Sequence, residues 1–575
     1  MAHIPPVGRN SPKMRLLLAS IYLILTIGGI STVYPFLVML GSSVTSEYDS
    51  DQYPIIPRYL VSDSALYGKF VDDKYNSDIQ NIAAIYSQPY AKITDVKPPA
   101  TVDPVAVTRW DNFIAHLPQE YKLVGFRGVP GSYAPAPMLE QYRNWLQSKF
   151  HNDINPLDRE YLEEDTNFIS VFPPYERPQM RIYVPGTSPK ERDWASFKLS
   201  LPSVYLIPVT FDSVYSGYLR DEVYSNDIRN LNKAWGGHYS GFYQIHLDAK
   251  VPKQSAEAAD WSTFVRTKLP LRFIVQNAPA GESIAQLAST NKLPEGLALT
   301  ALSERIRYAN PRTLTVVTAD TIWREDSGAG APLAANQADW LYTVRNASSI
   351  RRSFLSRNYL FTLNYLLLHG RGVWNTIIYC VAAVLTALIV NPLCAYALSR
   401  FKLPFGQSVL LFLLATMAFP SEVSMIPNFL LLKQFNLLNT FWALILPGAA
   451  SGYSIFLLKG FFDSLPRELY EAGMIDGASE LTLFRRITLP LSKPIFAVIA
   501  LSAFTAAYGN FLFAMILCQA QSHWTIMVWV YEFQALGAPQ YVMMAALVLA
   551  SLPMLIVFLF AQGTIMRGVI LPSYK

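Results

Sequence analysis

Apolar residues gather into runs long enough to cross a bilayer in two parts of the chain. One run lies near the start, at about 16–40. A closely spaced series follows much later, at about 373–398, 407–431, 441–462, 495–518 and 541–563. A membrane helix needs about 20 predominantly apolar residues, so the pattern predicts six transmembrane helices, one before and five after a polar region. The first run follows Arg9, Lys13 and Arg15, as a secretory leader would. It is about 25 residues long and has no small-x-small cleavage site, which predicts an uncleaved anchor. Between the runs, residues 45–365 have the mixed composition of a soluble domain, expected to be of mixed α/β character.

The polar interval 464–494 reads SLPRELYEAGMIDGASELTLFRRITLPLSKP. It predicts a helical elbow. Ser464 is placed to cap the first helix, with Pro466 in its first turn. Leu465, Leu469, Ala472 and Ile475 recur at helical spacing and predict an apolar face. Asp476-Gly477 breaks the helix, because glycine enters a positive φ without steric cost. A second helix is expected from about Ala478 to near Pro490.

These residues carry a resemblance. Glu471-Ala472-Gly473, then Asp476-Gly477-Ala478, then Phe484, Ile487, Pro490 and Pro494 resemble the EAA loop of ABC-importer permease subunits. The chain from about Trp374 to Lys575 resembles the maltose-type, binding-protein-dependent carbohydrate permeases. Gly473 stands where alanine is usual. The resemblance implies a membrane pathway driven by a dimer of cytosolic ATPase subunits that dock on Glu471, Ala472, Gly473, Asp476, Gly477, Phe484 and Pro490. Glu471 would pair with a basic group there. It also implies a second, homologous permease subunit, an extracytoplasmic sugar-binding protein, and an oligosaccharide as cargo.

Charge sets the expected orientation, since short cytoplasmic loops are rich in Lys and Arg. Arg400 and Lys402 follow the second run. Lys459, Arg467, Arg485, Arg486 and Lys493 flank or fill the elbow, and Arg567 and Lys575 close the chain. The alternate loops 432–440 and 519–540 carry only Lys433. Both termini and the elbow are therefore expected in the cytoplasm of a bacterium, and residues 45–365 outside its inner membrane. The expected domains are 1–44 (tail and first helix), 45–365 (external) and 366–575 (five-helix core).

The external region predicts a degenerate repeat of about 75 residues. KYNSDIQNI, KFHNDINPL and VYSNDIRNL place Asp78, Asp153 and Asp227 in register. Each is followed later by a Trp-x-x-Phe segment ending in Leu-Pro, namely WDNFIAHLP, WASFKLSLP and WSTFVRTKLP. Asp339-Trp340 begins a further approach. The aspartates are expected either to cap helices while Trp and Phe anchor a core, or to line a sugar-contacting surface with those aromatics.

Within the membrane runs, Asn391-Pro392 predicts a kink that serves packing or a gate. Phe419-Pro420, Glu422 and Ile426-Pro427 resemble the family's external turn. Tyr508 and Asn510 stand where the family pattern has Trp-Asn nearby. Polar groups at membrane depth are costly and tend to face a pathway or another helix, which makes both candidates for substrate contact.

Composition excludes other classes. The net charge of +5 is too small to argue for nucleic acid, and charged residues are only 15% of the 575. Cys380, Cys394 and Cys518 all lie in apolar runs, so no disulfide framework is expected. No Gly-x-x-x-x-Gly-Lys-Ser/Thr loop occurs, so ATP must be hydrolysed by a partner. No catalytic pair or metal spacing stands out among the seven histidines, and no cofactor or enzymatic activity is expected. The alternative reading is a membrane receptor that uses the external domain. A third keeps transport and makes the insert the binding protein or its docking platform.

Overall fold

The computed structural model describes residues 12–125, 134–165, 167–183, 186–276, 303–328, 333–368, 371–401, 403–416 and 420–568. It divides into two compact units, Thr45–Leu355 and the combined segments Met1–Val44 and Ser356–Lys575. Lys402, Phe419 and Lys575, named above, lie outside the described residues, as does Arg9.

In the Thr45–Leu355 unit the chain three times makes a helix, a two-residue left-handed step and a second, short helix. The pairs are Asp63–Lys74 with Ile79–Tyr86, Pro137–Lys149 with Ile154–Tyr161, and Asp212–Tyr218 with Ile228–Trp235. The steps are Asn76-Ser77, His151-Asn152 and Ser225-Asn226, all at positive φ. Short polar side chains, asparagine above all, enter that region at lower cost than branched ones. The aspartate after each step caps the next helix: Asp78 accepts from the Asn81 amide, Asp153 from Asn155 and Asp227 from Arg229. Each cap contributes roughly 1 kcal/mol.

The Trp-x-x-Phe segments lie in the helices Pro104–His116, Pro189–Ser200 and Ser255–Thr267. Trp110, Trp194 and Trp261 are all buried, as are Phe197 and Phe264. They are core anchors, and the sugar-facing alternative for them fails. After each Leu-Pro the chain takes one 3₁₀ turn and enters a three-residue strand. Lys122–Val124 pairs antiparallel with Leu206–Pro208, Lys122 opposite Pro208. Ile274–Gln276 pairs with Leu314–Val316, Ile274 opposite Val316. The last strand follows Asn310-Pro311, so this ending occurs a fourth time. Among the described residues these two ladders are the whole β component, and helices carry the architecture.

An aspartate before a tryptophan closes each helix pair, buried at Asp193 and Asp339 and half-buried at Asp260. Asp193 accepts from Lys149 at 2.6 Å and from the Tyr161 hydroxyl at 2.7 Å. Asp260 accepts from the Tyr224 hydroxyl and from the Trp235 indole. The first pair is closed from the far end of the unit: Asp339 accepts from Lys74 at 2.7 Å, Tyr75 at 3.2 Å and Tyr86 at 2.7 Å. The module boundary therefore differs from the sequence repeat. The Trp110 segment, expected to complete the first copy, packs edge to face on Trp323 at 5.3 Å. A buried charge is tolerated only when paired and hydrogen-bonded, so whichever helix supplies the carboxylate must lie against the pair. The Tyr86 and Tyr75 hydroxyls titrate well above the usual phenol range, first through burial and then through the Asp339 charge.

A second acidic cluster holds Asp212, Asp320, Arg324 and His246. Asp212 accepts from His246 Nδ1 at 2.8 Å, from the Leu247 amide at 2.9 Å and from Arg324. Burial alone would raise its carboxyl, but the His246 hydrogen bond and the Arg324 charge outweigh burial and hold it low. Asp320 is pushed well above the usual carboxylate range, by burial and then by the Asp212 charge.

Among the described residues of the other unit, three helices are long and apolar enough to cross a membrane: Met14–Ser42, Gly372–Arg400 and Gln540–Gly563. Two bent pairs bring the number to five, Phe441–Gly448 with Gly452–Asp463 at 50° and Glu480–Leu491 with Lys493–Tyr508 at 82°. The expected span at 407–431 comprises the apolar helix Gly406–Thr416 and a second helix, Ser421–Gln434. Pro392 lies inside the Gly372–Arg400 helix. Beside it the buried Asn391 donates to the Ala387 carbonyl and accepts the Ser451 amide at 2.8 Å, tying this helix to the start of Gly452–Asp463.

Asp339→Ala should strip Lys74, Tyr75 and Tyr86 of their acceptor and cost about 3–5 kcal/mol, as removal of one partner of a buried pair does. Asp260→Ala, where no cation is orphaned, should cost about 1–3 kcal/mol. Hydrogen exchange in Asp63–Lys74 and in Asp212–Tyr218 measures the two. Asp320 binds a proton on folding because its folded value is raised, so its contribution to stability falls as pH rises above the ordinary carboxylate range. Melting curves taken from mildly acidic to mildly alkaline pH should show a smaller loss for Asp320→Asn than for the parent.

Candidate functional site

The elbow differs in detail from its sequence pattern. Its first helix is Arg467–Ile475. Ser464 closes the preceding helix instead, its hydroxyl donating to the Phe461 carbonyl. Gly477 sits at φ +75°, and the Ala478 amide reaches back to the Gly473 carbonyl at 2.9 Å. This left-handed ending satisfies carbonyls that the helix leaves open. A Cβ at Gly473 would lie 2.5 Å from Leu483 Cδ2, so glycine there admits a close approach of the two arms.

The second arm starts at Glu480 and does not end before Pro490. It widens into a π turn at Phe484–Thr488 and continues through Leu489–Leu491 before the sharp bend. Tyr470, Leu483 and Phe484 are buried, with Tyr396 and Ile455 in the same cluster. The Tyr470 hydroxyl meets Thr488 Oγ1 at 2.8 Å, and the Arg400 guanidinium lies over the Tyr470 ring. Tyr396 donates to Glu480 at 2.8 Å. The elbow is thereby fastened to the end of the Gly372–Arg400 helix.

The expected apolar face points the other way. Leu469, Met474, Ile475 and Leu481 are exposed, Ile475 at 86%, beside exposed Glu471, Ala472, Asp476 and Gly477. Pro490 is also exposed, whereas Phe484 is buried. The period was legible, but the anchor of the inward face is an aromatic, Tyr470, one position off the aliphatic stripe.

A cavity of about 470 Å³ lies among the apolar helices of the same unit. Asn510 lines it, and its side-chain amide donates to the Tyr379 hydroxyl at 2.9 Å. Thr386, Ser424 and Asn428 add polar groups, and small residues such as Ala503 and Ala506 leave the space open. Two helix breaks border it, one at Pro447-Gly448-Ala449 and one at Gly509-Asn510. Broken backbone at membrane depth survives only where protein buries it or a polar cavity meets it. Tyr508 is elsewhere: its ring is buried and stacked on Phe504, and its hydroxyl donates to the Ala550 carbonyl. Ser424 and Asn428, four residues apart on one helix, were missed by sequence reasoning, although polar residues inside an apolar run were the available signal.

The family profile described as "Binding-protein-dependent transport system inner membrane component" matches residues 378–570. The polygalacturonan/rhamnogalacturonan transport system permease protein YtcP of Bacillus subtilis (strain 168) is 33% identical over 205 residues, covering 33% of this chain and 71% of that protein. The maltodextrin transport system permease protein MdxG of the same organism is 32% identical over 198 residues, covering 34% and 71%. Among solved structures, a bacterial ABC transporter involved in the import of the acidic polysaccharide alginate aligns at 26% identity over 36% of this chain and 78% of that one, with a TM-score of 0.33.

Gly477→Val should strain the elbow by about 1–2 kcal/mol, the cost of a left-handed conformation for a residue with a Cβ. Faster hydrogen exchange across Arg467–Thr488, with the Gly372–Arg400 helix unchanged, is the expected result.

Proposed function

The chain belongs to the binding-protein-dependent transport system inner membrane component family and is a permease subunit of an ABC importer, and from that premise we propose that its cargo is an oligosaccharide. The relatives named above carry polysaccharide-derived or maltodextrin cargo by their names. The chain itself hydrolyses no ATP; a partner ATPase does. The cargo path runs through the 470 Å³ cavity, with Asn510 and Tyr379 as a fixed hydrogen-bonding pair on its wall. Tyr508 serves as a packing residue.

The observation that carries the coupling role is the outward apolar patch of the elbow. Leu469, Met474, Ile475 and Leu481 face solvent beside Glu471, while Tyr470, Leu483 and Phe484 hold the elbow to its own bundle. Such a patch with a charged rim suits a docked protein. In the proposed mechanism the ATPase dimer grips this patch, and a basic group of the ATPase pairs with Glu471. Gly477 shapes the turn and Phe484 anchors it from within. Closure of the ATPase then moves the elbow and, through Tyr396–Glu480 and Arg400–Tyr470, the end of the Gly372–Arg400 helix. The cavity alternates between the two sides as a rigid-body shift.

The Lys/Arg asymmetry of the short loops supports six spans with both termini and the elbow in the cytoplasm, and residues 45–365 outside. A homologous permease completes the pathway, and a sugar-binding protein delivers cargo. The receptor alternative gains no support from the comparisons.

Glu471→Lys should insert in the membrane normally and abolish uptake. Loss of a charge pair of about 2 kcal/mol weakens docking roughly 30-fold. Uptake of labelled maltodextrin or oligogalacturonate by cells carrying the whole importer, with membrane levels measured in parallel, checks this. Normal uptake would overturn the docking role.

A further inference from the structure

The Thr45–Leu355 unit has a cavity of about 790 Å³ at the seam between its first and third helix pairs. Its walls come from Ile79–Tyr86 and the loop after it, from Asp212–Tyr218, and from the turn Phe242–Gln244. None of the repeated Trp-x-x-Phe aromatics reaches it. Four features mark it as a built site.

The first is Arg220. Seven residues before each capping aspartate, the first two modules bury Val71 and Leu146 completely. The third module buries Leu219 instead, eight residues before Asp227, and has Arg220 next to it on the cavity wall. It alone of the three replaces the end of its first helix with a π turn, Leu219–Val223. A π turn changes the facing of the residues it contains and is frequent at functional sites. Here the turn lengthens the stretch from the core aliphatic residue to the capping aspartate from seven residues to eight, and Arg220 stands in it at the cavity wall. Asp221 holds the Arg220 guanidinium through Nε and one terminal nitrogen, at 2.7 and 2.8 Å. The other terminal nitrogen is left for a ligand.

The second is Tyr243. It belongs to neither hydrophobic core, yet its ring is fixed. It lies over Gly241, where a Cβ would come within 2.6 Å of the ring, and its hydroxyl meets Ser240 Oγ at 3.0 Å. Tyr90 faces the same space and is steadied by an edge contact with Tyr86 at 6.5 Å. The third is Asp212, at the floor, oriented by His246, Leu247 and Arg324. The fourth is a pair of uncommitted polar ends, Gln80 and Lys97, both exposed on the rim.

Fixed aromatic faces with planar polar groups around them suit a ring that is apolar on one side and hydroxylated at its edge. The Arg220 and Asp212 charges are already compensated by Asp221 and Arg324, so the site does not select strongly for an anion. We propose that this seam cavity is an oligosaccharide-binding site within the Thr45–Leu355 unit, with Tyr243 and Tyr90 stacking on sugar rings and Arg220, Gln80 and Lys97 holding hydroxyls. The proposal rests on the carbohydrate reading of the importer given above.

The test is calorimetric titration of the full chain in lipid nanodiscs with maltohexaose and with tetragalacturonate. At least one should bind saturably. Tyr243→Ala should weaken that binding tenfold or more, and the exposed double variant Gln80→Ala/Lys97→Ala, which breaks no internal contact, threefold or more. Tyr308→Ala, which removes an exposed ring outside the cavity, should leave affinity unchanged. Binding that is indifferent to both cavity variants would overturn the site. Absence of binding by either sugar would also overturn it. Uptake by the assembled importer, measured alongside, separates the causes: uptake of these sugars without binding here removes the cavity and leaves the carbohydrate reading standing, whereas no uptake of any sugar removes that reading too.

Discussion

A polar group withdrawn from water must be given a partner, and the cost of failing to do so exceeds the gain from most single contacts. Both units are arranged around that constraint. Among the apolar helices it explains why two breaks border one space. At the Gly509-Asn510 break the backbone amides find carbonyls within their own segment, and the Asn510 side chain finds the Tyr379 hydroxyl in the polar cavity that Ser424 and Asn428 also line. In the Thr45–Leu355 unit the same constraint decides which helices touch. A carboxylate such as Asp193 or Asp339 cannot be buried until a lysine and tyrosine hydroxyls surround it.

The elbow shows the constraint working at a surface. Its inward face is closed by hydrogen bonds from Tyr470 and Tyr396 and by the Phe484 ring. Its outward face leaves aliphatic groups in water, which costs free energy unless another protein covers them. Attachment on one side and exposure on the other are what a transmitting element requires. In the coupling role proposed above, a push on the exposed side would reach the Gly372–Arg400 helix through contacts already made.

Much of this was readable from the chain. The apolar runs at 16–40, 373–398 and 541–563 match unbroken helices to within a few residues, whereas those at 407–431, 441–462 and 495–518 fold as broken ones, and Asp476-Gly477 located the turn. Of the two roles expected for Asp78, Asp153 and Asp227, helix capping is the one that they hold. What was not readable depended on contacts between distant residues. Burial of Tyr470 rather than Leu469 follows from Thr488 and Arg400, which sequence spacing does not bring together. The second arm ends at Leu491, near Pro490 as expected, but the π turn at Phe484–Thr488 on the way leaves no mark in the apolar spacing. Tyr508 and Asn510 sit two residues apart, yet one is sealed under the Ala550 carbonyl and the other lines a cavity. Their separation comes from the helix break between them.

The bond between Lys74 and Asp339 joins residues 265 positions apart. Its consequence concerns the order of events as the chain is made. The first helix pair of the unit cannot bury its lysine and tyrosines when it emerges, because its carboxylate arrives only with the last helices of the unit. The second pair has no such wait, since Lys149 and Asp193 are 44 positions apart. Contacts of the middle pair can therefore form before those of the first, and closing a loop as long as the first pair needs is slow. Arg351 completes the seam by donating to the Tyr59 carbonyl. The two ends of the unit's chain are thereby fastened side by side, so the unit is closed on itself.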